Sequence, residues 1–417
     1  MKIRWNDLVA HKNYKEYIIL FYNSEINKKI NKDEYKVIDF LSKNNIDVSL
    51  ENSDYLDLFS NYEDAKYIYN YIKIFINQGI LKVYESINKK NEEKNKITTL
   101  CIILTNKCNL RCRHCCQDAG YTKYVEYSKR EWEKVIDLLF SYFDFDNIMI
   151  SGGEPLIVDY MFDIVSYIEH KKKSMKFTLM TNGLLIDKNN IRLLKKYFNH
   201  ISISLDGIDS YTTKIIRKED LFIKILDKLY FLKNEGFLDI SVSAVLPKSD
   251  QIENAFELLC KELDVFPMIR DLSLTGRCGS NIYFIDKNYK KYIKDNGFNE
   301  YCDYEREDLN NLRRCGAGKE IITITPDGSI FPCNILQNES FKIGNVKDEN
   351  IYEKITKYNI RNKMKENLDI KCNNCEYIDF CWSCYSKCLS YEDNEKLLHD
   401  RCIFRKERMK KCMERIY

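Results

Sequence analysis

Cys108, Cys112 and Cys115 fall within one short stretch, Thr105-Asn-Lys-Cys108-Asn-Leu-Arg-Cys112-Arg-His-Cys115. Three thiolates at Cys-x3-Cys-x2-Cys spacing can hold three irons of a four-iron cluster and leave the fourth iron open to a small molecule. A zinc loop is the other metal reading of such a stretch. The whole chain carries 17 cysteines. Met1 to Ala10 has charges where a signal peptide would have its apolar stretch, so a reducing, cytoplasmic setting is expected. Short cysteine spacings in that setting read as ligands rather than disulfides.

A second group lies near the C-terminus, Cys372-x2-Cys375-x5-Cys381-x2-Cys384-x3-Cys388, followed by Cys402. Cys372, Cys375, Cys381 and Cys384 alone would suit a zinc ribbon, but that leaves Cys315, Cys333 and Cys402 without a role. Cys101 lies within the first strand and Cys260 within a helix, and both read as small core residues.

The elements that must position these thiols follow from periodicity. Strand-like runs occur at Thr99–Leu104, Asn147–Ser151, Lys176–Thr181, His200–Leu205, Asp239–Val245 and Asp271–Leu274. Helical stretches such as Lys129–Phe143, Ile157–Lys172, Asp220–Glu235 and Gln251–Leu263 alternate with them. Six β/α repeats between residues 98 and 276 imply a parallel sheet with crossover helices. A closed eight-unit barrel takes ~250 residues, so an open, partial barrel fits better. Glycine is scarce, 14 in 417, and several mark strand ends: Gly152-Gly153-Glu154-Pro155, Thr181-Asn182-Gly183 and Ser204-Leu-Asp206-Gly207. Parallel α/β folds build their sites at these carboxyl ends.

Residues 1–87 read as a separate small unit. A strand at Glu16–Tyr22, a capping box at Asn31 opening a helix through Leu41, a helix over Glu63–Asn77 and a strand at Ile80–Tyr84 suggest a winged-helix-like order. Asn88–Lys96 is a charged linker. Residues 277–417 contain a hairpin, Ile321–Thr325 and Ser329–Pro332 around Pro326-Asp327-Gly328, and then the dense cysteines. Lys and Arg number 66 against 63 Asp and Glu, a net charge of +3 that gives no case for nucleic-acid binding. No apolar run is long enough to span a membrane.

The cysteine spacing, with the three strand-end motifs in this order, resembles the radical SAM superfamily over residues 98–275. The resemblance implies a partial (β/α)6 TIM barrel whose open iron binds S-adenosylmethionine. One electron from the cluster, supplied by a reduced flavodoxin or ferredoxin, then yields a 5′-deoxyadenosyl radical that abstracts hydrogen. It places His114 near the adenine, Gly152, Gly153, Glu154 and Pro155 at the methionine ammonium, and Arg217 at the SAM carboxylate. Thr181, Asn182, Ser204 and Asp206 fall at strand ends where the family places ribose or substrate contacts.

The C-terminal cysteines are similar to the SPASM extension, which holds two auxiliary [4Fe–4S] clusters. Carried over by position, Cys315, Cys333 and Cys384 belong to the nearer cluster, and Cys372, Cys375, Cys381 and Cys402 to the farther one. Two departures bear on this. The step after Cys381 is Cys-x2-Cys, so Cys388 competes with Cys384. The nearer cluster also lacks an obvious fourth ligand; Cys302 or Cys278 would supply it, or one iron is open to a substrate thiolate. The N-terminal unit resembles the leader-recognition element of enzymes that modify ribosomally made precursor peptides. Together the parts imply a precursor-peptide maturase, with Cys thioether cross-linking the favoured reaction. Carbon–carbon cross-linking, epimerisation and formylglycine formation in a sulfatase are the alternatives. Enzymes of the last kind usually carry Asp after the second cysteine of the nearer cluster, where this chain has Asn334.

Overall fold

The computed structural model describes residues 2–6, 9–13, 17–22, 25–44, 46–84, 97–121, 125–247, 249–270, 272–273, 275–299, 315–360, 363 and 402. The linker at Asn88–Lys96 and Cys302, Cys372, Cys375, Cys381, Cys384 and Cys388 lie outside the described residues.

The N-terminal part runs β1 (Lys2–Trp5), β2 (Val9–Asn13), β3 (Tyr17–Tyr22), β4 (Glu25–Asn31), α1 (Lys32–Lys43), α2 (Ser53–Leu56), α3 (Tyr62–Asn77) and β5 (Leu81–Tyr84). β2, β3 and β4 form an antiparallel sheet, and β1 pairs with β5. The expected order of strand, helix, helix and strand is therefore corrected by three further strands and the short α2. Those strands (KIRW, VAHKN, EINKKIN) are largely polar and carry no apolar run. The capping box is present: Asn31 accepts from the Glu34 amide and Glu34 accepts from the Asn31 amide. Ile3, Leu20, Ile30, Ile38, Leu41, Ile72 and Phe75 meet in a core of their own.

The next part alternates strands and helices: β6 (Thr99–Ile103), α4 (Lys129–Tyr142), β7 (Asn147–Ser151), α5 (Met161–Lys171), β8 (Lys176–Thr181), α6 (Ile191–Tyr197), β9 (His200–Ser204), α7 (Ser210–Arg217), α8 (Phe222–Asn234), β10 (Ile240–Val245), α9 (Asp250–Glu262), β11 (Phe266–Arg270) and α10 (Arg277–Asp295). β6 to β11 are parallel and adjacent in chain order. Leu100, Ile102, Ile148, Ile150, Ile201, Ile203, Val242 and Ala244 join one core with the flanking helices. Strand side chains alternate between faces, so Ser202, Ser204, Ser241 and Ser243 point into the barrel.

Two expectations shift. The sixth strand is Phe266–Arg270, not Asp271–Leu274. Pro267 argues against a strand in a sheet interior, yet β11 is the edge, where one side needs no donor. The helix expected over Ile157–Lys172 divides into a short 3-10 turn, Pro155–Ile157, and α5.

The C-terminal hairpin, β12 (Ile321–Ile324) and β13 (Ser329–Phe331), does not stand apart. β12 pairs in parallel with β6, Ile322 opposite Leu100, and β14 (Gly344–Asn345) follows β13 before α11 (Ile351–Lys357). The hairpin thus covers the β6 edge of the barrel sheet. No helix among the described residues is long and apolar enough to cross a membrane.

Candidate active site

The cysteine loop leaves β6 at the carboxyl end of the sheet and is clamped at its base. Thr105 Oγ1 donates to both Glu126 carboxylate oxygens (2.8 and 3.0 Å), and the Asn106 amide donates to Oε1 at 2.6 Å. Cys108, Cys112 and Cys115 are half-buried and free of disulfides. Cys108 Sγ accepts from the Leu110 amide at 3.4 Å and Cys115 Sγ from the Ala119 amide at 3.3 Å. Such bonds stabilise thiolates and tune a cluster's potential. Burial pushes the Cys112 thiol up to about 12, so ligation must expel a proton. Among the described residues no three His, Cys, Asp or Glu side chains converge on a single-ion site. A four-iron cube differs from zinc in spreading its thiolates over separate metal corners.

The loop after β7 is pressed onto the cysteine loop. Gly153 donates to the Thr105 carbonyl (2.7 Å) and Glu154 to the Lys107 carbonyl (2.9 Å). A Cβ at Gly153 would overlap the Lys107 carbonyl. Glu154 is fully buried, and its carboxylate accepts from Thr181 Oγ1 (2.7 Å), the Asn182 amide (2.8 Å) and the Leu156 amide (3.1 Å). Burial nevertheless pushes its carboxyl up. Asn182 Nδ2 donates to Asn109 at 2.8 Å, tying the end of β8 to the cysteine loop. Gly152 and Pro155 complete the turn between them.

Beyond β9, Asp206 has φ +58° and gathers three partners. Its Oδ1 accepts from the Val245 amide (3.0 Å), and its Oδ2 accepts from Arg217 Nη2 (2.7 Å) and lies 3.4 Å from His114 Nε2. Burial alone would push Asp206 up; His114, Arg217 and the Val245 amide hold it below the ordinary carboxylate value. Ser204 closes β9 opposite Ser243. His114 Nδ1 and Arg217 Nε are buried with no hydrogen-bond partner among the described residues.

Three residues that the sequence reading missed hold this arrangement together. Arg113 donates its amide to Ile216 O (2.7 Å) and its guanidinium to Lys214 O and Ile215 O (both 2.9 Å), capping α7 at Arg217. That guanidinium also lies 4.1 Å from the Phe284 ring centre on α10. Arg277 donates to Cys112 O (3.1 Å), Asp118 (2.7 Å) and Ala119 O (2.6 Å). Gly276, at φ +61°, lets α10 begin against the carbonyls of Cys115 and Cys116. Glu126 is the third. A scarce glycine beside Arg277 was the one local signal.

The family model for the radical SAM superfamily matches residues 102–259, and that for the SPASM iron–sulfur cluster-binding domain matches residues 315–385. Residues 102–259 thus form a radical SAM domain, followed by a SPASM domain. It is 27% identical over 318 residues to the antilisterial bacteriocin subtilosin biosynthesis protein AlbA of Bacillus subtilis, covering 69% of this chain and 67% of that protein. It is 25% identical over 299 residues to the mycofactocin maturase MftC of Mycolicibacterium smegmatis, covering 67% and 75%. The crystal structure of Streptococcus suis SuiB bound to S-adenosylmethionine shares the fold, with a TM-score of 0.52 at 17% identity over 93% of this chain and 96% of that one.

The radical SAM assignment brings S-adenosylmethionine and a [4Fe–4S] cluster as cofactors, and the SPASM domain binds further iron–sulfur clusters. The barrel mouth suits both cofactors: three thiols on one loop, and two orphaned nitrogens beside them. In the SPASM region Cys315 and Cys333 are half-buried. The Gly318 amide donates to Pro332 O at 2.9 Å, which brings the Cys315 turn beside the residue preceding Cys333. The matched span ends between Cys384 and Cys388, and Cys402, half-buried, lies beyond it. Cys101 and Cys260 are buried core residues as expected, and burial pushes both thiols up to about 12.

Proposed function

We propose that this radical SAM enzyme modifies a ribosomally made precursor peptide and joins a substrate cysteine to carbon as a thioether. The observation that carries the peptide reading is the pairing of radical SAM and SPASM domains in a chain similar over two thirds of its length to a bacteriocin biosynthesis protein and a maturase.

Cys108, Cys112 and Cys115 would hold the SAM-site cluster. Cys315, Cys333 and Cys384 would serve the nearer auxiliary cluster, and Cys372, Cys375, Cys381 and Cys402 the farther. When bound, SAM and its cluster would supply hydrogen-atom abstraction from carbon, and the auxiliary cluster would supply the one-electron acceptor that balances joining a cysteine sulfur, less its proton, to that carbon. The chain's own residues fix the geometry. Arg113 and Arg277 lock the cysteine loop between α7 and α10. His114 Nδ1 and Arg217 Nε offer polar contacts to SAM, and the buried Glu154 braces Thr181 and Asn182 beneath it. Residues 1–87 would bind the leader as an added β-strand. A reduced flavodoxin or ferredoxin would deliver the electron.

The test pairs the reduced enzyme with a peptide encoded by a small cysteine-rich reading frame adjacent to its gene. A product two hydrogens lighter per link and resistant to thiol alkylation is expected. The variant with Cys108, Cys112 and Cys115 all replaced by Ala should lose both SAM cleavage and product. A modified peptide that keeps every thiol would exclude the thioether, and no change to any peptide would exclude the peptide reading.

A further inference from the structure

Arg270 has no assigned role, yet it stands where barrel enzymes place functional groups, as the last residue of β11. It is paired in register with Val245, whose amide holds Asp206. Arg270 is therefore level with the Asp206–Arg217 pair and His114. Ile269 packs on the helix-side core, so the alternate residues Phe266, Met268 and Arg270 project to the opposite, interior face. Phe266 is 63% exposed and Met268 40%, which makes β11 one lip of the barrel's open side.

The Arg270 side chain is partly buried, and among the described residues it has no hydrogen bond or ion pair. Burial pulls its guanidinium below the ordinary value, against the fields of Asp206 and Cys116. Asp206 directs Oδ1 to the Val245 amide and Oδ2 to Arg217, and it makes no bond to Arg270. Arginine keeps its charge in proteins, and a half-desolvated guanidinium without an anion is costly. Its planar fork matches a carboxylate in two-point geometry.

We propose that Arg270 receives a side-chain carboxylate of the peptide substrate, from Asp or Glu, as that peptide enters along the interior face of β11. This rests on the peptide reading above. The other carboxylate at hand is that of SAM. It has a donor of its own beside the cysteine loop, since the orphaned Arg217 Nε lies there. The apolar strip of Phe266 and Met268 next to Arg270 suits the side chains of an extended peptide, with the guanidinium at its inner end.

The experiment selects a displayed library of random cysteine-containing peptides on the reconstituted holoenzyme with SAM, in wild-type, Arg270→Gln and Arg270→Glu forms. Iron content and SAM affinity are measured alongside. Peptides recovered on wild type should be enriched in Asp or Glu at a fixed distance from cysteine, and the Arg270→Glu form should enrich Lys or Arg there. The best wild-type peptide should bind Arg270→Gln about tenfold more weakly, the size expected for losing a charge-assisted pair. Recovered peptides without acidic enrichment, or with enrichment unchanged in Arg270→Glu, overturn the assignment while leaving the peptide reading intact. A matching loss of SAM affinity in Arg270→Gln gives the guanidinium to the SAM carboxylate and also overturns it. Recovery of no peptide by wild type overturns the Arg270 assignment, while the precursor experiment above decides the peptide reading separately.

Discussion

Arg217 Nη2 donates to Asp206 Oδ2 across 2.7 Å, and both side chains are only 2% exposed. The pair joins the last residue of α7 to the loop after β9, so helix and strand meet at one buried bond. Removing one partner leaves an uncompensated charge, which costs about 3–5 kcal/mol. Arg217→Met should therefore lower unfolding free energy by about that amount. Adding Asp206→Asn should restore part of the loss, because the stranded charge is gone. Denaturant unfolding of the single and double variants checks this, and additive losses would contradict the coupling.

Gly153→Ala tests the contact between the β7 loop and the cysteine loop. The new methyl would overlap the Lys107 carbonyl, a backbone atom with no side chain to swing away. Overpacking of this kind costs about 1–3 kcal/mol and moves backbone. The loop carrying Cys108 should shift, so the variant should retain less iron and release it to a chelator faster than wild type. Iron retention equal to wild type would show that the loop accommodates the methyl.

Arg113 caps α7 with two guanidinium bonds and lies over Phe284, so its loss should loosen the cysteine loop from both helices. Arg113→Ala should cost about 1.5–3 kcal/mol, the range for hydrogen bonds from charged donors. Arg113→Lys keeps the charge but not the planar fork, and should recover less than half. Thermal unfolding and the rate of cluster loss to a chelator report the two effects. Full rescue by Lys would mean that charge alone suffices.

The parts of this chain that were readable in sequence are those where chemistry demands fixed residue types at local spacing. Cys108, Cys112 and Cys115 form one loop, and Gly153, Asn182 and Asp206 end successive strands, so their order alone places them around one mouth. The buried strands β6 to β10 were readable because each carries apolar residues at alternate positions, Leu100 and Ile102, Ile148 and Ile150, Phe177 and Leu179, Ile201 and Ile203, Val242 and Ala244. The antiparallel β1, β2 and β4 were not, since their short, largely polar sequences lack that signature. β11 was misplaced because Pro267 and the exposed Phe266 and Met268 do not look like a barrel strand, and Arg270 was overlooked with it. Arg113 and Arg277 bond across more than 100 and 150 residues of chain, and no local spacing encodes such pairings.

The last prediction concerns the auxiliary cysteines. β12 pairs with β6, the strand that leads to the SAM-site loop, and the Gly318 amide binds Pro332 O, so the Cys315 and Cys333 segments are held against the barrel. That attachment is backbone hydrogen bonding and apolar packing by Ile322, Ile324 and Ile330, and it does not depend on the two thiols. Replacing both Cys315 and Cys333 with Ser should therefore leave the fold and the SAM-site loop in place while removing one auxiliary cluster. Iron analysis should fall by about four atoms per chain from about twelve, the content of three four-iron clusters. Reductive SAM cleavage should persist, since Cys108, Cys112 and Cys115 are untouched, but peptide product should disappear because no nearby acceptor takes the electron. A variant that keeps its full iron content would remove Cys315 and Cys333 from the ligand set. A variant that loses iron yet still makes the cross-link would show that the nearer cluster is dispensable to bond formation.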